Sequence, residues 1–308
     1  MVIYHSPCSD GWCAAWIMHR CLGGDPELVP AKYGDDPPIV DGRDVYVVDF
    51  CYPRDVMKQM YSVANTLLVM DHHKTAEAEC RDLNYCVFDS QMSGAGLAYW
   101  WCHSEGKIQL LLDEPSTAPV ARGMHVLMQY VQDRDLFRFA MDASESINAA
   151  LRSYPWDLDT WDHLAKEAAV TPMTFLKEGE AIQRYRKQIA EQSIRHAYDV
   201  LIAGHVVKAT LCSTGDIVSE VAGELAKGAS FGATFCPTSD GQVVVSLRSE
   251  KRGADVGEIA KMYGGGGHKH SAGFRVNYAT IESFDVTHGP VLDRRIITTP
   301  ELKQLQKT

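Results

Sequence analysis

The sequence lacks a CxxC pair and any regular cysteine spacing, with nine Cys scattered through 308 residues. An odd, unpatterned count in a chain this long argues against a disulfide framework and fits reduced thiols in a cytoplasmic protein. Long apolar runs are also missing, and none approaches the ~20 residues of a membrane span. The opening Met1-Val2-Ile3-Tyr4-His5-Ser6 has no charged region ahead of an apolar one, so a secretory signal is not expected. Positive charge is scarce: 30 Lys and Arg stand against 40 Asp and Glu, a formal net charge of −10. Such a chain repels polyanions overall and offers no basic track for a long duplex. A phosphate-bearing ligand would have to be met by metal ions or by a few placed cationic side chains. The remaining composition, 45% apolar and 23% charged, is that of an ordinary globular protein with length for two domains.

Three short apolar runs stand near the N-terminus: Val2 to Tyr4, Val45 to Val48 and Leu67 to Met70. They are β-branched or aliphatic and nearly continuous, as strands buried on both faces of a parallel sheet are. Helical patterns over Trp12 to Cys21, Pro53 to Ala64 and Ser93 to His103 alternate with them, which predicts an α/β sheet with crossover helices. Residues 118–132, 156–169 and 172–197 carry apolar residues at helical spacing. Beyond residue 200, strands are expected at Val200 to Thr210, Ser230 to Phe235 and Val243 to Leu247, with a turn at Thr238-Ser239-Asp240-Gly241. A short helix is expected over Gly253 to Met262, followed by the glycine run Gly264 to Gly267. The fold class is α/β: an N-terminal parallel-sheet domain over 1–140, a helical linker over 141–198, and a smaller C-terminal α/β domain over 199–308.

The chemistry lies just after the strands. His5 and Asp10 follow the first, Asp49 the second, and Asp71-His72-His73 the third. Ligands of open α/β sheets bind at the carboxyl ends of strands. One Asp there is usually a cap or a turn former; three strands delivering carboxylates and imidazoles to one edge are hard to explain by capping. Mixed carboxylate and imidazole donors suit Mn²⁺, Fe²⁺ or Zn²⁺. A two-metal hydrolytic site needs a bridging carboxylate, and Asp49, on the central candidate strand, is placed to bridge. Ser93-Gly94-Ala95-Gly96 reads equally as a phosphate loop at a helix N-terminus or as close packing of that helix beneath the site.

These residues resemble the motifs of the DHH phosphoesterases. His5 to Gly11 is similar to that family's first motif, Asp49 to its second, Asp71-His72-His73 to its signature, and Asp133 in Gln132-Asp133-Arg134-Asp135 to its fourth. Gly264 to His268 with Ser271-Ala272-Gly273 resembles the glycine-rich motif of the DHH-associated substrate domain. The resemblance implies two Mn²⁺ ions, with Mg²⁺, Fe²⁺ or Zn²⁺ as alternatives. His5 and Asp49 would hold one ion; Asp10, Asp49, His72 and Asp133 would hold the other. Asp71 and His73 would serve the catalytic step, in which a metal-activated hydroxide attacks phosphorus. Arg248, Gly266, Gly267 and His268 would contact substrate phosphate, arginine through its bidentate fork. Two points stay open. The family usually has Asp where this chain has Cys8, so Cys8 is either a thiolate ligand or a bystander, and Asp135 rivals Asp133.

The resemblance favours hydrolysis of short oligonucleotides from one end. The alternatives are a phosphatase or phosphodiesterase on a small nucleotide, such as a 3′-phosphoadenosine nucleotide or a cyclic dinucleotide, and a nucleotide-binding module with a degenerate metal site. The expected partner is a short oligonucleotide or small phosphorylated nucleotide, with neither membrane nor long duplex; the oligomeric state is left open.

Overall fold

The computed structural model describes residues 1–213, 215–277 and 280, and the chain divides into two units, 1–183 and 184–308. Part of the expected C-terminal domain, 281–308, lies outside the described residues. None of the described helices is long and apolar enough to cross a membrane.

The first unit opens with β1 (Val2–His5), α1 (Ser9–Leu22), β2 (Leu28–Ala31), β3 (Asp44–Val48), α2 (Arg54–Val63), β4 (Thr66–Asp71), α3 (Lys74–Cys80) and β5 (Cys86–Phe88). The five strands are all parallel, in the order β2-β1-β3-β4-β5. The apolar runs split by parity, as a pleated strand requires. Val2, Val48 and Met70 face a core with Trp16, Ile17 and Met18 of α1. Ile3, Val47 and Val69 face a second core with Met57 and Met60 of α2. The strands expected from the sequence are therefore present, with two more at the sheet's edges. β2 carries Pro30, which an edge strand tolerates, and β5 has only three residues, too short to stand out as a pattern.

α4 (Gly94–Ser104), α5 (Lys107–Asp113), α6 (Ala118–Asp135), α7 (Ser144–Leu151) and α8 (Leu158–Val170) follow. Leu127, Ile147 and Leu164, from α6, α7 and α8, share the core that α1 builds on the sheet. The segment expected as a linker, 141–198, is divided between the two units. Its first half is built into the N-terminal unit, because α7 and α8 bury apolar stripes there. The boundary between units falls within α9 (Leu176–Arg195).

The second unit holds β6 (Tyr198–Ile202), β7 (His205–Leu211), α10 (Val218–Leu225), β8 (Gly232–Pro237), β9 (Gln242–Arg248), α11 (Val256–Met262), β10 (Gly266–His268) and β11 (Ser271–Asn277). Its sheet runs β10-β11-β9-β8-β7-β6 and is antiparallel except between β7 and β8. The stretch expected as strand from Val200 to Thr210 is a hairpin: Ala203 and Gly204 both have positive φ, 49° and 80°, the conformation of a tight two-residue turn. The glycine run differs more. Gly266 and Gly267 are strand residues paired with Gly273 and Ala272, not an open loop. A Cβ at Gly265 would lie 2.2 Å from the carbonyl oxygen of Gly273, so close backbone approach within this sheet accounts for that glycine.

Candidate metal centre

The strand order makes β1 the point where the chain reverses its direction of growth across the sheet. From β1 it passes to β2 on one side and then to β3 on the other. α1 packs on one face and α2 on the opposite one. A crevice opens at such a switch point, beyond the carboxyl ends of the flanking strands. His5 ends β1, and Asp49 follows β3 with its amide bonded to Met70 O and a positive φ of 55°. That left-handed conformation is uncommon outside glycine, though Asp tolerates it better than most residues.

Asp49 turns its two carboxylate oxygens to different partners. Oδ2 lies 3.5 Å from His5 Nδ1, and Oδ1 lies 3.2 Å from His72 Nε2. His72 Nε2 is also 3.8 Å from Asp10 Oδ2 and 3.5 Å from Asp135 Oδ2. The potential ligand atoms fall into three overlapping groups, each within 4.8 Å: His5, Cys8 and Asp49; Asp10, His72 and Asp135; and Asp49, Asp71, His72 and His73. Asp10, Asp49 and Asp71 are essentially without solvent exposure. Burying several carboxylates together is costly unless cations or donors compensate. His5 Nδ1, both oxygens of Asp49, Asp71 Oδ2 and Asp135 Oδ2 are buried and make no hydrogen bond among the described residues. Buried oxygen and imidazole donors that converge in this way fit divalent cations.

Asp10 has its own support. The amides of Gly94 and Ala95 donate to its two oxygens at 2.6 and 3.0 Å, so the N-terminus of α4 grips the carboxylate. Ser93 caps the same helix by accepting from the amide of Gly96. This resolves Ser93 to Gly96 as packing beneath the site. A Cβ on Gly94 would stand 2.3 Å from the Cβ of Asp49.

Asp71 and His73 form a unit. Asp71 Oδ1 accepts from the amides of His72 and His73 and lies 2.7 Å from His73 Nδ1. The bond to Asp71 raises the pKa of His73. Burial, with Asp49 and Asp135 nearby, pushes the Asp10 carboxyl well above the usual range, and burial and Asp49 likewise push Asp135 up. Burial also works against ionised Asp49, but the imidazoles of His5 and His72 outweigh it and hold that carboxyl below its ordinary value. Among the shifted carboxyls Asp10, Asp49 and Asp135, only that of Asp49 is favoured in its ionised form, between the two imidazoles. Cys8 is within reach of His5 and Asp49; burial and the Asp49 and Asp10 carboxylates push its thiol up to about 12. Without a cation it stays a thiol.

Asp133, expected among the ligands, stands outside the three groups, and Asp135 stands within one. Side chains two apart on a helix do not share a face, so only one of Asp133 and Asp135 in the last turn of α6 can turn towards the sheet edge. It is Asp135. Asp133 is buried and accepts from the amides of Ala140 and Met141, while its carbonyl accepts from Arg138 and Phe139. It organises the loop after α6. Burial opposes the ionised form, but these amides and Ser144 more than offset it, leaving the carboxyl below its ordinary value. A depressed folded-state pKa contributes stability above the unfolded value, near 4, and loses it as pH falls further. Asp133→Asn is therefore expected to destabilise by about 1–3 kcal/mol at neutral pH. Its deficit against wild type in urea melts should shrink below about pH 4; a deficit independent of pH would refute the assignment.

In the second unit, the half-buried guanidinium of Arg248 donates to Leu247 O at 2.8 Å and to Ser219 Oγ at 2.7 Å. His268 is exposed at the end of β10, and His270 Nδ1 lies 3.0 Å from Ser249 Oγ. Sequence reasoning missed Tyr33, whose ring lies 5.5 Å from that of His5 and 6.1 Å from that of His73. Its position depends on edge strand β2, which carries no clear pattern.

Comparison with known proteins agrees with the motifs. Residues 204–285 match the DHHA1 domain family. An uncharacterised protein of Acanthamoeba polyphaga mimivirus is 23% identical over 297 residues, 89% of this chain; the chain spans 66% of that relative's length. An exopolyphosphatase-related protein from Bacteroides fragilis shares the fold, with a TM-score of 0.53, 13% identity, and coverage of 89% of this chain and 85% of the other. A pGpG-specific phosphodiesterase from Vibrio cholerae aligns at a TM-score of 0.44 and 14% identity, over 91% of this chain and 95% of the other. The C-terminal unit thus carries the DHHA1 match, and the N-terminal parallel sheet carries the Asp71-His72-His73 triplet that resembles the signature of the DHH phosphoesterases.

Proposed function

We propose that the protein hydrolyses phosphodiester bonds of short oligonucleotides with two divalent cations, Mn²⁺ in the first instance. The observation that carries this reading is Asp49, with one oxygen towards His5 and the other towards His72. A carboxylate so oriented suits two adjoining ions. His5 and Asp49, with Cys8 in reach, would hold one; Asp10, Asp49, His72 and Asp135 would hold the other. When bound, such a pair supplies Lewis-acid activation of water and neutralises charge developing at phosphorus. The chain's own groups set the geometry. The α4 N-terminus fixes Asp10, and the Asp71 carboxylate fixes the ring of His73, which offers a polarised imidazole beside the reacting phosphate. In the second unit, Arg248 and exposed His268 are the groups we assign to a terminal phosphate, because a guanidinium pairs phosphate through two parallel bonds. Gly266 and Gly267 support that surface as strand backbone. A cytoplasmic location and the absence of a long-duplex partner belong to the same reading.

The test is hydrolysis of 5′-labelled RNA of two to ten nucleotides with Mn²⁺ and with a chelator, beside cyclic dinucleotides and a 3′-phosphorylated adenosine nucleotide. Cation-dependent cleavage, fastest on the shortest RNA, is expected. Turnover of the mononucleotide alone would reassign the protein as a small-nucleotide phosphatase.

A further inference from the structure

Single exposed aromatics are common on protein surfaces and need no function. Tyr33 differs in how it is held and in what it touches. It follows β2, and the bond from Ser6 N to Ala31 O ties the end of that strand to the end of β1. The chain then makes a tight turn over Lys32 to Asp35, closed by the amide of Asp35 on Lys32 O and by the amide of Lys32 on Asp35 Oδ2. Gly34, with φ of 94°, supplies the left-handed corner such a turn needs. Tyr33 sits at the tip, at the same sheet edge that carries His5, Asp49 and His73.

Its ring is braced but not covered. Buried Phe50 lies 5.0 Å from it at 55°, His5 5.5 Å away at 66°, and His73 6.1 Å away at 84°. All three rings meet it at steep angles, so none of them stacks on it. Half of the residue, 52%, stays exposed. A braced aromatic with an open stacking position, beside two candidate metal-site imidazoles, matches a flat π-system carried one sugar ring away from phosphorus. A bare phosphate or polyphosphate has no such group to place there.

We propose that Tyr33 is a specificity-determining residue whose ring stacks on the nucleobase of the nucleotide bearing the reacting phosphate. This deepens the phosphodiesterase reading and rests on it for the placement of that phosphate. Stacking is tolerant of base identity, so Tyr33 selects nucleotides over base-free phosphates without choosing among sequences.

The test uses the full chain in Mn²⁺ and two ligands that a phosphodiesterase does not cleave: adenosine 5′-monophosphate and ribose 5-phosphate, its base-free counterpart. Calorimetric titration is expected to give wild type a preference of roughly tenfold or more for the nucleotide. Tyr33→Ala should remove the preference by weakening only the nucleotide, whereas Tyr33→Phe, which keeps the ring, should retain it. Equal weakening of both ligands in Tyr33→Ala would overturn the proposal and make Tyr33 a support for His5 and His73. Loss of preference in Tyr33→Phe, or no preference in wild type, would overturn it too. A Tyr33-dependent preference without turnover of any oligonucleotide would sustain this inference while removing the hydrolytic reading, so the two fail separately.

Discussion

Asp49→Ala is expected to lower turnover by roughly a thousandfold or more, because Lewis-acid stabilisation of several kcal/mol is lost when the ions are no longer held in register. The fold should survive. Asp49 is buried beside other carboxylates whose protonation it favours, so its removal relieves repulsion in the metal-free protein. Calorimetry should show weakened Mn²⁺ binding at both positions, because in the proposed two-ion arrangement one carboxylate serves both. His72→Ala should behave alike in turnover but spare the ion beside His5, which His72 does not approach closely enough to join in one ligand group with Cys8. Wild-type turnover in Asp49→Ala would end the two-ion reading.

Gly94→Ala should be nearly as damaging for an unrelated chemical reason. The added methyl would meet the Cα and Cβ of Asp49 at 2.8 and 2.3 Å. Neither is the far end of a flexible side chain, so either α4 or the segment after β3 must move. Overpacking of this kind costs about 1–3 kcal/mol, and occasionally more. The displacement falls on the two elements that hold Asp10 and Asp49. We expect a lower midpoint in thermal melts and Mn²⁺ affinity reduced by roughly tenfold or more, as when groups that orient metal ligands are disturbed. Unchanged stability together with unchanged Mn²⁺ affinity would show that the helix can withdraw without disturbing the site.

Much of this was legible in the chain, for reasons that are local. β1, β3 and β4 are buried on both faces, so each is a continuous apolar run, and the residue after each run necessarily stands at the sheet edge. His5, Asp49 and the Asp71-His72-His73 triplet could be placed together on that ground alone. Asp133 and Asp135 could not be separated in the same way, because the choice depends on the rotational phase of α6 about its axis. The glycine run resembled an anion-binding loop, yet Gly266 and Gly267 are committed to pairing with β11. Tyr33 was invisible because its placement follows from β2, four residues with a proline that pair only through β1.

The placement of Asp135 has one more consequence. His5, Asp49 and His72 are anchored to neighbouring strands of one hydrogen-bonded sheet. Asp135 rides on a helix whose last turn is held by the loop that Asp133 gathers. The constellation therefore rests on two kinds of support, a hydrogen-bonded sheet on one side and a helix terminus on the other. Strain on α6 reaches Asp135 directly, and through Gln132, which accepts from the amide of Ser93, it also bears on the α4 N-terminus that holds Asp10.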